Sequence, residues 1–163
     1  MSHLYVKQKV FSLRERFTVK DENDQDKYYI HGSLFSIPKT FEIEDTRGNQ
    51  VALITKKIFS FLPRFFVEAD GQEILTIVKE FTFFKDRYRI DSSDIEVRGD
   101  WWDKNFEVFK QGKKIAHVNE KWFTWGDTYD LHVIDEAYEH IVLAIVVAID
   151  FVKASERAAA NSN

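Results

Sequence analysis

Catalysis and metal binding need particular side chains at particular spacings, and the histidines are the first residues to test. The chain has five, His3, His31, His117, His132 and His140, and no two stand at HxH or HxxxH spacing. Cysteine is absent, which removes thiolate nucleophiles, disulfides and cysteine-based zinc sites together. Neither a G-x-S-x-G nucleophile elbow nor a G-x-x-x-x-G-K phosphate loop occurs. Carboxylates cluster as Asp91, Asp94 and Glu96 and again as Asp100 and Asp103. They fall around turns, where Asp serves turn geometry and solvation, so the paired acid and base reading is the weaker one. Asp127 lies between aromatic residues, where a carboxylate accepts backbone or indole N–H bonds, and it reads as structural. The expectation is no catalytic residue set, no metal, no cofactor and no enzymatic activity.

Binding chemistry has more material. Lys56, Lys57 and Arg64 surround the apolar run IFSFLP, and Lys85, Arg87 and Arg89 follow FTFF. Cations beside aromatics suit an anionic lipid surface, where each cation contributes about 1 kcal/mol and an aromatic enters the interface. They also suit an ordinary strand with a solvated face. Trp101 and Trp102 are adjacent, so on a strand they face opposite ways and at least one leaves the core. With Trp125 they are candidates for contact with a protein partner, against the alternative that they close the ends of the fold. The formal net charge of −4 is spread along the chain, which leaves no global basic field for nucleic acid.

The elements that must position these residues are read from periodicity. The chain is 163 residues long, the size of one domain, and its 15% aromatic content suits packing on pleated sheets. Before about residue 134, short apolar runs alternate with polar residues and break at Gly, Asn and Asp, which predicts a meander of about twelve strands. Three stretches repeat one plan of aromatic strand, Gly turn and branched residue: FEIEDTRGNQVALI from Phe41, FFVEADGQEILTI from Phe65 and FEVFKQGKKIAHV from Phe106. Each reads as one hairpin, with Gly48, Gly71 and Gly112 at positions of positive φ.

The ending is of another kind. The run AYEHIVLAIVVAIDFVKA lacks Gly and Pro and is apolar on every face from Ile141 to Ile149, which predicts a helix that must be surrounded. Acidic Asp135, Glu136 and Glu139 at its start and basic Lys153 and Arg157 at its end complement a helix dipole. The uninterrupted apolar run ends at Asp150, short of the roughly 20 residues a transmembrane helix needs. A ring of about twelve strands has a lumen wider than its own side chains fill, so the helix is expected to plug it. SERAAANSN, from Ser155, is small and polar and is expected to be a flexible tail.

Several of these segments together resemble the LURP-one-related family. They are IAHVNEKWFTWGDTYDLHV from Ile115, GDWWDKNFEVF from Gly99 and LAIVVAIDFV from Leu143. The most specific part is the ordered set Lys121-Trp122, Trp125-Gly126-Asp127, Tyr129 and Ala148-Ile149-Asp150, and the resemblance extends from about Tyr5 to Val152. It implies a fold similar to the Tubby C-terminal domain and the phospholipid scramblases, a closed barrel of about twelve strands around a C-terminal helix. It supplies no catalytic residues, and lipid binding by Tubby domains does not map onto positions here one by one.

The combined expectation is one Tubby-like domain over residues 1–154 and a tail over 155–163. The N-terminal residues lack the apolar core of a signal peptide, which points to a cytoplasmic protein, peripheral rather than transmembrane if it meets a membrane. It is read as a binding module whose partner is a protein or an anionic lipid headgroup of the phosphoinositide kind. The alternatives are an enzyme of unrecognised class and a carrier of a small apolar ligand, and the carrier conflicts with a helix that fills the lumen.

Overall fold

Alternation of inward and outward side chains along each run produces twelve antiparallel strands in the computed structural model, which describes residues 1–7, 17–33, 38–59, 62–80, 87–103, 105–123 and 126–162. They are β1 (Ser2–Lys7), β2 (Phe17–Asp21), β3 (Asp26–Ser33), β4 (Lys39–Asp45), β5 (Gln50–Phe59) and β6 (Leu62–Ala69). β7 (Gln72–Glu80), β8 (Arg87–Asp91), β9 (Ile95–Asp100), β10 (Asn105–Lys110), β11 (Lys113–Phe123) and β12 (Gly126–Val133) complete the set. The three repeated stretches are the hairpins β4–β5, β6–β7 and β10–β11. Two of their turns place consecutive residues at positive φ, Asp70 at 51° and Gly71 at 76°, then Gln111 at 50° and Gly112 at 77°. That geometry matches the right-handed strand twist, and Gly adopts it without steric penalty.

Pairing runs between sequence neighbours and between β1 and β12, in the order β8-β7-β6-β5-β4-β3-β2-β1-β12-β11-β10-β9. The barrel is therefore nearly closed, with one seam between β8 and β9 where no ladder forms among the described residues. Side chains bridge the seam. Trp102, after β9, stacks on Tyr88 of β8 with ring centroids 5.9 Å apart, and Lys153 reaches the Trp102 carbonyl from inside.

A short 3-10 helix, Glu136–Tyr138, leads into α1 (Glu139–Asn161), with Asp135 accepting from the Ala137 N–H. Every residue from Val142 to Val152 is buried, so the helix fills the lumen, as the apolar run requires. Phe151 meets Phe41 and Phe65 edge-on, at 4.6 and 5.2 Å between centroids.

Two boundaries of the helix differ from expectation. Asp150 does not end the apolar section at water. It is 2% exposed, and its Oδ1 accepts from Tyr129 Oη at 2.8 Å, which is how a carboxylate is carried inside the barrel. Residues 155–161, expected as an unstructured tail, continue the helix, because Glu156 is held by Lys79 and Tyr88 of the wall and Ala158 to Ala160 favour helix.

The meander gives the barrel two unlike ends. Where α1 begins, the turns after β2, β6, β8 and β12 carry Glu22, Asp24, Asp70, Asp94, Asp135 and Glu136, while the turn after β4 carries Arg47. Where α1 leaves, the strand ends carry Lys39, Lys56, Lys57, Arg64, Lys79 and Arg87.

Candidate functional site

The exit end of the barrel brings together the cations of β4 to β8. Lys56 and Lys57 follow one another on β5 and so face opposite sides of the sheet. The strands extend into IFSFLP from both sides, Ile58 pairing with Pro63 and Phe59 with Leu62, while residues 60 and 61 lie outside the described residues.

On the outer face Lys57 stands directly opposite Arg64, and its Nζ lies 5.3 Å from the centroid of Phe66. Ile58, the next residue on β5 and so turned to the Lys56 side, is 71% exposed at the strand end. Like charges directly opposite in a ladder repel, and the Asp91 carboxylate of β8 interacts with Arg64. Arg89, in the same cross-strand row two strands on, is paired with Glu80 and Asp91, and its guanidinium is held above its ordinary value chiefly by the hydrogen bonds to Asp91. Arg87 is exposed on β8, opposite Glu80. Lys85 lies outside the described residues.

On the inner face Lys56 stands opposite Lys39 of β4, with its Nζ 5.8 Å from the Phe65 centroid. Burial pushes the Lys56 ammonium below its ordinary value, and the neighbouring charge of Lys39 adds to that, with Lys79 acting the same way and Glu156 against it. Lys79 on β7 pairs with Glu156 at 2.7 Å, and Tyr88 donates to the same carboxylate. Lys39, Lys79 and Glu156 are absent from the sequence reading. A signal for them exists: the inward sets Phe41-Ile43, Ala52-Ile54 and Leu75-Ile77 each extend, two residues on, to a lysine at the exit end.

The tryptophans occupy a turn and not a strand. Trp101 packs against the core, while Trp102, 39% exposed, lies between Tyr88 and Lys153, whose Nζ is 5.7 Å from its ring centroid. Both therefore help to seal the seam. Trp125 lies outside the described residues, as does the side chain of Asp127.

The clustered carboxylates have structural partners. Asp91 pairs with Arg89, Glu96 with Arg98 and Asp94 with Lys110, while Asp100 accepts from the Asp103 N–H. The fold does bring three separated histidines into one row, with His132 opposite both His3 and His117. The His3 and His132 rings stack at 4.4 Å and 15°, and among the described residues no group of three His, Asp or Glu side chains is placed to hold a metal ion. At the entry end Glu139 accepts from Ser2 and Tyr28 at 2.5 Å and pairs with Lys27 at 2.8 Å. Burial works against its ionisation, and the three hydrogen bonds overcome it, holding the carboxyl below its ordinary range.

A family model described as LURP-one-related matches residues 2–150. The uncharacterized protein YxjI of Bacillus subtilis is 30% identical over 152 residues, covering 93% of this chain and 94% of its own. The X-ray structure of an Arabidopsis thaliana protein superposes with a TM-score of 0.54 at 14% identity, covering 91% of each chain, a likeness of fold.

Proposed function

The chain belongs to the LURP-one-related family, and from that premise we propose that it is a non-enzymatic binding module that attaches peripherally to an anionic, phosphoinositide-like membrane surface through the barrel end where α1 leaves. The observation that carries this reading is the gathering of cations at that end, Lys57 opposite Arg64 on the outer face and Lys56 opposite Lys39 on the inner face, with Ile58 71% exposed at the same strand end. An anionic surface attracts cations gathered at one end of the barrel, and the exposed Ile58 at the strand end enters its interface.

The acidic turns at the opposite end would be repelled by the same surface, which sets one orientation. Peripheral attachment also agrees with the helix: among the described residues none is long and apolar enough to cross a membrane. The lumen is filled by α1, which leaves a small apolar ligand no room there. The cytoplasm is the proposed location.

Vesicle flotation tests the reading. Wild-type protein is expected to float with vesicles containing phosphoinositide at low salt and to be released as salt rises past 0.1 M, where the Debye length is about 10 Å. Lys57→Glu with Arg64→Glu is expected to abolish flotation with little change in melting temperature. Wild-type protein that stays in the soluble fraction at low salt sinks the membrane reading and leaves a protein partner as the ligand to seek.

A further inference from the structure

We propose that the inner rim of the exit end, formed by Lys39, Lys56 and Lys79 around the end of α1, is a binding site for a dianionic phosphate monoester or polyphosphate. Lys39 and Lys56 are directly opposed across β4 and β5 on the inward face, the side that elsewhere on both strands carries Phe41, Ile43 and Ile54. Among the described residues no carboxylate lies within ion-pair distance of either. Two like charges in one ladder position, one of them half-buried, oppose folding twice, by mutual repulsion and by lost hydration.

The surroundings are those of a bound anion. Lys79, with 14% of its side chain exposed, and Tyr88 both hold Glu156, which keeps that carboxylate turned to their side of the rim. The Phe65 ring lies under Lys56, and Phe41 and Phe151 lie behind it, so the ammonium groups stand on an apolar floor. Attraction between an anion and cations so placed is screened less than on an open surface. Two unmatched positive charges call for a doubly charged partner with several acceptor oxygens, and phosphate monoesters meet that near neutral pH, their second pKa being about 6.

This inference deepens the membrane reading by naming the headgroup chemistry, but it does not require a bilayer. The source of the phosphate, a lipid headgroup or a free phosphate compound, is separated by the two arms of one experiment. In the first arm inorganic pyrophosphate is titrated into the full chain by calorimetry at low salt and pH 7.5, with acetate as a monoanionic control. Saturable one-to-one binding is expected, with acetate at least about tenfold weaker.

Lys56→Met is expected to weaken pyrophosphate binding about tenfold while its melting temperature stays level or rises, since it removes the opposed charge and keeps an apolar stem. Lys39→Met, at an exposed position, serves as the second variant with the same expected loss. Lys113→Met, at the opposite end of the barrel, should bind pyrophosphate as wild type does.

In the second arm the same variants are floated with phosphoinositide vesicles. Pyrophosphate binding without flotation supports the site with a free phosphate source and rejects the membrane reading. Flotation without pyrophosphate binding, or pyrophosphate binding unchanged in both Lys56→Met and Lys39→Met, overturns the site.

Discussion

Tyr129 of β12 donates a hydrogen bond of 2.8 Å to Asp150 of α1, with both residues buried, so that one polar contact fixes the plug against the wall. Burial, followed by the adjacent Asp150 charge, raises the Tyr129 hydroxyl well above its ordinary pKa, and it stays a proton donor throughout the working range. Both residues stand in the ordered motif that marks the family resemblance, which gives that part of the motif a physical reason.

Removing the donor exposes the importance of the contact. Tyr129→Phe keeps the ring and leaves a buried carboxylate oxygen without its hydroxyl, which is expected to destabilise the fold by about 1–3 kcal/mol. Chemical denaturation followed by tryptophan fluorescence measures it. A loss below about 0.5 kcal/mol, the usual scale for an indifferent surface change, would show that the contact does not hold the helix.

Ile145 is fully buried in the middle of α1, where the wall surrounds it. Ile145→Asp places a charge there with no partner and is expected to cost several kcal/mol, enough to leave the protein unfolded or insoluble. Circular dichroism on purified variant decides the point. Cooperative melting at the wild-type temperature would contradict a packed lumen.

Glu139 provides the pH dependence. Its carboxyl is held below the ordinary value of 4.5 in the native state, so below that pH the unfolded chain takes up the proton first. The stability it contributes is therefore present above about pH 4.5 and is lost as pH falls through its native pKa. Glu139→Gln should be less stable than wild type at pH 7 and should show a shallower loss between pH 5 and pH 3. Parallel acid-unfolding curves for the two proteins would remove Glu139 from the account.

Much of the fold was legible because its code is short-range. The meander of about twelve strands that alternation and turn residues predict is present, and Gly48, Gly71 and Gly112 have the positive φ expected of their turns. The helix was legible as well, since a run apolar on all faces can satisfy itself only by being enclosed. The candidate site was half legible. Lys56, Lys57 and Arg64 do converge, yet adjacency in sequence suggested one patch where strand geometry makes two, an outer pair and an inner pair.

The sequence by itself determined the element types, their order, the antiparallel meander and the need for a plug, because each rests on the pattern of near neighbours. Only the tertiary structure decided which distant residues meet. Lys39 opposes Lys56, Tyr129 reaches Asp150, His3 and His117 flank His132, and Glu156 finds Lys79, all through strand register and the depth at which α1 sits. Register is set by the summed packing of a whole face, and a shift of one residue would turn every side chain of a strand to the other side. For that reason an aspartate that reads as the watery end of a helix lies inside the barrel, and a lysine that reads as surface faces the core.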